Sequence, residues 1–350
     1  MANLNSIFLE FNKRIRLPED KRTELIMVRD NLRQRITTGF RFVWKKVAQN
    51  HAMEFQSQGS FVMDTIIRPE HDDYDIDDGL YFIGTLDAKQ RPTPQQFHQW
   101  VCEALGDDYD DIEKVLDKTT CVRVQYKDGY HVDIPIYYAN NFESPELSDK
   151  AKGWILSHPL EFIDWFETKI SSGFQKRFLM DAKLYPEFEK WASDIRKADH
   201  QLRRIVRYLK AWADLRREEM PCGIIMTILA ANNYSPNERD DVSLKETLIK
   251  IQAALHKKFE CLRPTTPKGE DLLAGYKNKE AFLKYLGYFI EHATAALAEP
   301  NEKTACNKWK EILGKRFPCD MASDRVLHNA GAASLAAGTL GKKPWGGIKK

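Results

Sequence analysis

Apolar residues follow two regimes along this 350-residue chain. Between positions 55 and 139 β-branched and aromatic residues dominate and turns break them up, as in a sheet. On either side the apolar residues recur at helical spacing. Pro18-Glu19-Asp20 marks a helix start, with acidic side chains at the positive end of the helix. Leu25, Val28, Leu32 and Ile36 follow it as one stripe. Residues 75–82 read as a strand. Residues 122–126 and 130–138, joined by Lys127-Asp128-Gly129, read as a hairpin. Pro135 has no N–H to give to a ladder, which predicts that the second strand lies at an edge there or is ending. From Trp154 onward the spacing is helical. Leu202, Ile205, Val206 and Leu209 form one stripe, and further helices are predicted over 244–259, 280–298 and 302–313. The Ala/Gly-rich tail from Ala330 can bury little and predicts a mobile end. The organisation expected is a sheet-containing half with an N-terminal helix (1–150), a helical half (151–329) and a tail (330–350).

Composition narrows the class. With 43% apolar and 30% charged residues the chain reads as an ordinary soluble protein. No stretch approaches the roughly 20 apolar residues that span a bilayer, and the first nine residues lack a signal-peptide core. The six cysteines make no C-x-x-C pair, so neither a zinc site nor a redox motif is indicated, and a reducing cytoplasm is the expected location. A net charge of +2 excludes strong bulk attraction to nucleic acid, so any polyanion site must be a local patch.

The chemistry gathers in the sheet-like stretch. Asp75 and Asp77 are two apart, and on a strand that spacing puts both on one face. Adjacent carboxylates repel unless a cation lies between them. Mg²⁺ takes oxygen ligands, commonly one or two carboxylates plus substrate phosphates, and two ions about 3.5–4 Å apart can clamp a phosphoryl displacement. Asp133 sits on a strand whose Val132, Ile134 and Ile136 face the other way, so it can complete such a site. Upstream, Gly59-Ser60 falls at a strand-to-helix junction where a backbone can approach phosphate closely. The competing reading is that Asp72, Asp73, Asp75, Asp77 and Asp78 form one solvated acidic loop. It accounts for each carboxylate alone, but not for Gly-Ser, alternating carboxylates and a third Asp on an apolar strand occurring in this order.

Those residues resemble the nucleotidyltransferases of the cyclic-GMP-AMP-synthase type (CD-NTases), most closely the bacterial cyclic oligonucleotide synthases of anti-phage signalling. The likeness is carried by Gln58-Gly59-Ser60, Thr65-Ile66-Ile67-Arg68-Pro69, Tyr74-Asp75-Ile76-Asp77-Asp78-Gly79 and Tyr130 through Tyr138. It continues into the basic stretch Arg203 to Trp212, into Met220-Pro221-Cys222-Gly223, where relatives often carry serine at the position of Cys222, and into Pro267 to Leu272. It covers roughly residues 20–320. The resemblance implies an α/β (α+β) fold, a mixed-sheet nucleotidyltransferase core with a helical second domain and a cleft between them. It implies metal ligation by Asp75, Asp77 and Asp133, with two Mg²⁺ ions or Mn²⁺ in their place. It implies triphosphate binding by Gln58, Gly59 and Ser60, and nucleotide contacts by Lys210, Arg123, Cys222 and Asp271.

Arg203, Arg207 and Lys210 share a helix face. They can clamp phosphate charge or cover apolar surface with their stems, and the upstream site favours the first role for Lys210 only. His131 reads as a neighbour of the site rather than a ligand, and Tyr137 and Tyr138 as core. The expected reaction is attack of a ribose hydroxyl on an α-phosphate with release of pyrophosphate, then ring closure to a cyclic di- or trinucleotide second messenger for a separate effector. ATP, GTP or other triphosphates are the expected substrates. No membrane or obligate DNA is implied, and the basic tail is a place for a regulatory partner. The rivals are a template-independent RNA-tailing polymerase, a nucleotidyltransferase that modifies a protein or small molecule, and a catalytically silent nucleotide-binding scaffold.

Overall fold

A seven-stranded mixed sheet forms the first part of the molecule in a computed structural model, which describes residues 2–43, 52–71, 73–87, 89–106, 110–140, 144–171 and 185–324. The tail expected from 330 lies outside the described residues. The strands are β1 (Ala52–Gln58), β2 (Asp75–Ile83), β3 (Ile112–Asp117), β4 (Cys121–Tyr126), β5 (His131–Ala139), β6 (Glu146–Asp149) and β7 (Gly153–Leu156). Their order is β1-β2-β5-β4-β3, with β6 paired to β5 and β7 paired to β6. Only β2 and β5 run parallel among these pairs. This is the mixed sheet that the resemblance implies.

Helix α2 (Glu19–Val43) lies on this sheet, and its expected stripe is in place. Leu25, Leu32 and Ile36 are buried among Ile76, Leu80, Val132 and Ile134, with Val28 half-buried beside them. It packs on α4 (Pro94–Leu105) so closely that a Cβ at Gly39 would come within 1.9 Å of the Ala104 carbonyl oxygen. Helix α4 interrupts the stretch expected to be all sheet. Its start was nonetheless written in the chain: Thr93 and Gln96 exchange hydrogen bonds in a capping box, with Pro94 at the first helical position.

The second part is helical. It comprises α5 (Pro159–Ile170), α6 (Tyr185–Ala198), α7 (Gln201–Asp214), α8 (Gly223–Asn233), α9 (Asp240–Lys257), α10 (Lys279–Ala298) and α11 (Glu302–Leu313). It surrounds a separate apolar cluster that also takes in α1 (Asn5–Ile15), through Phe8 and Phe11. The helices expected over 244–259, 280–298 and 302–313 are α9, α10 and α11. No helix among the described residues is long and apolar enough to cross a membrane.

Three expectations are corrected. The chain is not helical from Trp154, because β6 and β7 extend the sheet as a hairpin and α5 begins only at Pro159. Pro135 is not at an edge, since β5 lies between β2 and β4. It is tolerated where β5 changes neighbours: β4 pairs last at Cys121–Pro135 and β6 takes over at Tyr137. Cys306 and Cys319, read among scattered cysteines that fit a reducing cytoplasm, are joined by a disulfide in the helical core. Cys102, Cys121, Cys222 and Cys261 are free.

Candidate active site

The register of three strands builds the site. Gln58 ends β1 opposite Asp77 of β2. On the other side of β2, Asp75 pairs with His131 and Asp77 with Asp133 of β5. Beyond β5, Arg123 of β4 lies opposite Asp133. The alternation of a strand then places Asp75, Asp77, Asp133 and Arg123 on one face, while Ile76, Val132 and Ile134 enter the core behind it. Asp78 points away from this face and is buried. Its carboxylate accepts from Arg33 Nε at 2.7 Å and from the Ser57 hydroxyl at 2.9 Å. The acidic run is therefore not one solvated loop. It divides into a buried structural partner and carboxylates that face a cleft.

The Gly59-Ser60 turn is fixed against these carboxylates. Gly59 follows β1 with φ +68°, and a Cβ there would fall 2.2 Å from Asp77 Oδ2. Only glycine both adopts that backbone conformation and leaves the carboxylate in place. Ser60 opens the single turn α3 (Gly59–Val62), and its carbonyl oxygen accepts from the N–H groups of Thr65 and Ile66.

Charge is unevenly shared in the site. The Asp77 carboxyl is held well above the usual carboxylate range, by burial first and then by Asp75 and Asp133. The protein around Asp75 would raise it too, but the hydrogen bond and charge of His131 and the charge of Arg123 hold it below its ordinary value. His131 Nε2 lies 3.2 Å from Asp75 Oδ1, and its Nδ1 lies 3.1 Å from Asp73 Oδ1. Arg123 grips Asp133 with two parallel hydrogen bonds of 2.5 and 2.6 Å. One ligand atom from each of Asp75, His131 and Asp133 can be chosen so that all lie within 4.8 Å of one another, a spacing that suits a metal ion. That group takes in His131, expected as a neighbour of the site rather than a ligand, and its two carboxylates beside Asp77 offer the oxygen atoms that a hard divalent cation takes.

Lys210 of α7 reaches the site from the helical half. Its ammonium donates to the Thr65 carbonyl at 3.1 Å. Burial pushes its pKa down to about 8, against the raising pull of Asp77. Arg203 and Arg207, on the same helix face, are fully buried and do not reach the cleft. Arg203 donates to the Met63 carbonyl and to Glu167, and Arg207 to the Asp64 carbonyl and to Asp199. With Arg22 on the Phe61 carbonyl, four cations of α2 and α7 hold the carbonyls of residues 61, 63, 64 and 65. Asp64 is the anionic hub. Buried and at φ +50°, it meets Arg16, Arg22 and Arg207 at 2.7, 2.8 and 3.3 Å. Asp64→Asn leaves two buried guanidinium groups under-compensated. Its expected cost is about 2–3 kcal/mol of stability, to be read as a lower denaturant midpoint. A midpoint equal to that of the unsubstituted protein would show that the hub contributes nothing.

The cleft has two lobes of about 470 and 340 Å³ that share Ser60, Asp75, Lys210 and Gly223. The larger holds Arg123, His131 and Cys222, and the smaller holds Gln58, Gly59 and Asp77. Cys222 is exposed at the start of α8 and makes no capping hydrogen bond. Of the residues expected at the site, Asp133 and Asp271 line neither lobe; Asp133 sits behind Arg123, which grips it, whereas Asp271 serves its own loop. The Asp271 carboxylate accepts from the backbone N–H groups of Cys261 and Leu273 and shapes the loop it sits on. The same loop instead sends Arg263, Thr265 and Thr266 to the smaller lobe. Nothing in their local sequence pattern marks them, because the fold alone brings the loop to the sheet.

Residues 53–137 match the family described as cyclic GMP-AMP synthase DncV-like, nucleotidyltransferase domain. A cyclic GMP-AMP synthase of Escherichia coli is 23% identical over 236 residues, 59% of this chain and 52% of that protein. The chain thus spans about half the length of the curated relative it matches. Among solved structures, Vibrio cholerae DncV cyclic AMP-GMP synthase in complex with nonhydrolyzable GTP is similar with a TM-score of 0.70 at 18% identity, over 91% of this chain and 97% of that one. Escherichia coli DncV in its 3'-deoxy GTP bound form is similar with a TM-score of 0.69 at 18% identity, over 89% and 95%. At such identity the structural likeness speaks for the fold, and the matched stretch includes Asp75, Asp77 and Asp133. The chain is thus similar to the cyclic-GMP-AMP-synthase-like nucleotidyltransferases, through a stretch that matches the DncV-like nucleotidyltransferase domain.

Proposed function

We propose that this protein joins nucleoside triphosphates into a cyclic di- or trinucleotide, by in-line attack of a ribose hydroxyl on an α-phosphate with release of pyrophosphate. The observation that carries the reading is the meeting of two pockets at the carboxylates, with Ser60, Asp75 and Lys210 common to both. Two triphosphates seated in the two lobes would bring a hydroxyl of one to the α-phosphate of the other. The name of the matching family supports the product class, and the E. coli and V. cholerae relatives are named for it.

Each residue then has a task. Asp75, Asp77 and Asp133 would hold divalent cations, Mg²⁺ or Mn²⁺, which supply charge neutralisation at the transferring phosphate and acidify the attacking hydroxyl. His131 keeps Asp75 ionised and oriented. Arg123 fixes Asp133 and offers positive charge to the larger lobe. Lys210 faces the negative charge that grows on the departing pyrophosphate. Ser60 presents its hydroxyl to the triphosphate. Most of the acceleration comes from positioning and charge compensation. The two apolar clusters support a division into a nucleotidyltransferase unit and a helical unit near residue 150, with the cleft where they face each other. We further infer that the product is a second messenger in anti-phage signalling, read by a separate effector.

Incubation of the full chain with labelled triphosphates and Mg²⁺ or Mn²⁺, followed by phosphatase and mass spectrometry, tests this. The expected result is a phosphatase-resistant cyclic product. Ladders on added RNA would point to a tailing polymerase instead, and no turnover of any triphosphate would leave a silent nucleotide-binding scaffold.

A further inference from the structure

The smaller lobe is lined both by Asp77 of β2 and by Arg263, Thr265 and Thr266 of the loop between α9 and α10. Phe162, Pro159 and Ile224 make an apolar wall suited to a planar ring. Thr265, Arg263 and Gln58 line the same lobe. The Thr265 hydroxyl and the Gln58 side-chain oxygen are buried without a hydrogen-bond partner, in residues only 3% and 5% exposed. Buried polar atoms are normally paired, because leaving them dry is unfavourable. Both belong to side chains that line the lobe, so a partner that enters the lobe is the direct way to satisfy them. Two neighbouring polar groups are already committed. Thr227 donates to the Gly223 carbonyl, and the Gln58 amide N–H donates to the Tyr137 hydroxyl. Among the described residues the side chain of Arg263 is paired only through Nε, to Glu270 at 2.7 Å.

We propose that this lobe reads the base of one nucleotide, and that Arg263 with Thr265 selects a base with a carbonyl oxygen at purine C6 or pyrimidine C4, guanine or uracil, over adenine or cytosine, which carry an amine there. The inference rests on the nucleotidyltransferase reading of the site. Its chemistry is that of donor and acceptor matching. Guanidinium is a donor only and cannot accept from an exocyclic amine. A guanine edge with its O6 and N7, or the O4 of uracil, matches Arg263, and arginine on guanine is the commonest base-specific contact. Adenine and cytosine would set an amine N–H against the guanidinium N–H groups and leave Arg263 unsatisfied. Thr265 can donate or accept, so it strengthens whichever base Arg263 admits.

Calorimetric binding of α,β-methylene analogues of ATP, GTP, CTP and UTP to the full chain with Mg²⁺ tests the assignment without needing turnover. Arg263→Gln is expected to weaken the guanosine or uridine analogue by about tenfold, while the adenosine and cytidine analogues stay within about threefold. Thr265→Val is expected to weaken the same favoured analogue. Equal loss for all four analogues would assign Arg263 to phosphate rather than base and overturn the proposal. So would unchanged binding of all four. If no analogue bound the unsubstituted protein, the nucleotidyltransferase reading itself would fall, an outcome distinct from a failure of base selection alone. Thermal melting of both variants separates lost recognition from lost folding.

Discussion

Asp77→Asn is expected to lower nucleotide joining by roughly 10⁴-fold, the scale for removing one member of a catalytic unit, while leaving the fold intact. The substitution keeps the shape of the side chain and removes its charge. Without a cation that charge is a burden, since burial, Asp75 and Asp133 all raise the Asp77 pKa. For a group whose folded pKa is above its unfolded value, the stability it confers is full below the unfolded pKa. It is lost as pH rises towards the folded one. At neutral pH the metal-free protein therefore bears an ionisation penalty that Asn does not. The variant is expected to melt at or above the temperature of the unsubstituted protein in chelator. Added Mg²⁺ should raise the melting temperature of the unsubstituted protein and move the variant much less. Full turnover by the variant, or equal Mg²⁺ stabilisation of both proteins, would remove Asp77 from the metal site.

That behaviour follows from a pattern visible in the primary structure. Two aspartates with strand spacing, and a third flanked by apolar residues, could be placed on one face before any fold was known, because strand alternation is fixed by backbone geometry. What joins them is register, and register is not local. That Asp77 lies beside Asp133, and Asp75 beside His131, follows from the parallel pairing of β2 with β5, which are far apart in the chain. The resemblance supplied what spacing could not. The basic face of α7 shows the same limit. Arg203, Arg207 and Lys210 share a stripe, yet two of them are buried beneath the Gly59-Ser60 turn and one reaches the cleft. Helical spacing says which residues share a face, and the surface packed against that face decides whether their charge meets a ligand or a carbonyl. Asp271 and Arg263 differ for that reason as well. Both are on one loop, but Asp271 spends its carboxylate on backbone N–H groups while Arg263 faces the lobe. The disulfide escaped because Cys306 and Cys319 are 13 residues apart in no recognisable motif.

Gly59→Ala is expected to reduce activity by roughly 10³-fold, because it acts on the backbone and the site together. At φ +68° an alanine is strained, by about 1–2 kcal/mol. Its methyl group would also stand 2.2 Å from Asp77 Oδ2, far inside contact distance. Relief requires either rotation of the Asp77 carboxylate or movement of the turn. The first spoils the carboxylate cluster, and the second shifts Ser60 away from both lobes. A displacement near 1 Å at reacting groups is worth about 100-fold by itself, and disturbed charge compensation adds to it. The turn has little freedom to adjust, since cations on α2 and α7 hold the carbonyls that follow it. The outcome separates these routes. If the turn moves, triphosphate affinity falls along with turnover. If Asp77 rotates, triphosphate binding survives while turnover and Mg²⁺ stabilisation are lost. An alanine variant with unchanged turnover would mean that the contact between Gly59 and Asp77 is absent in the working enzyme.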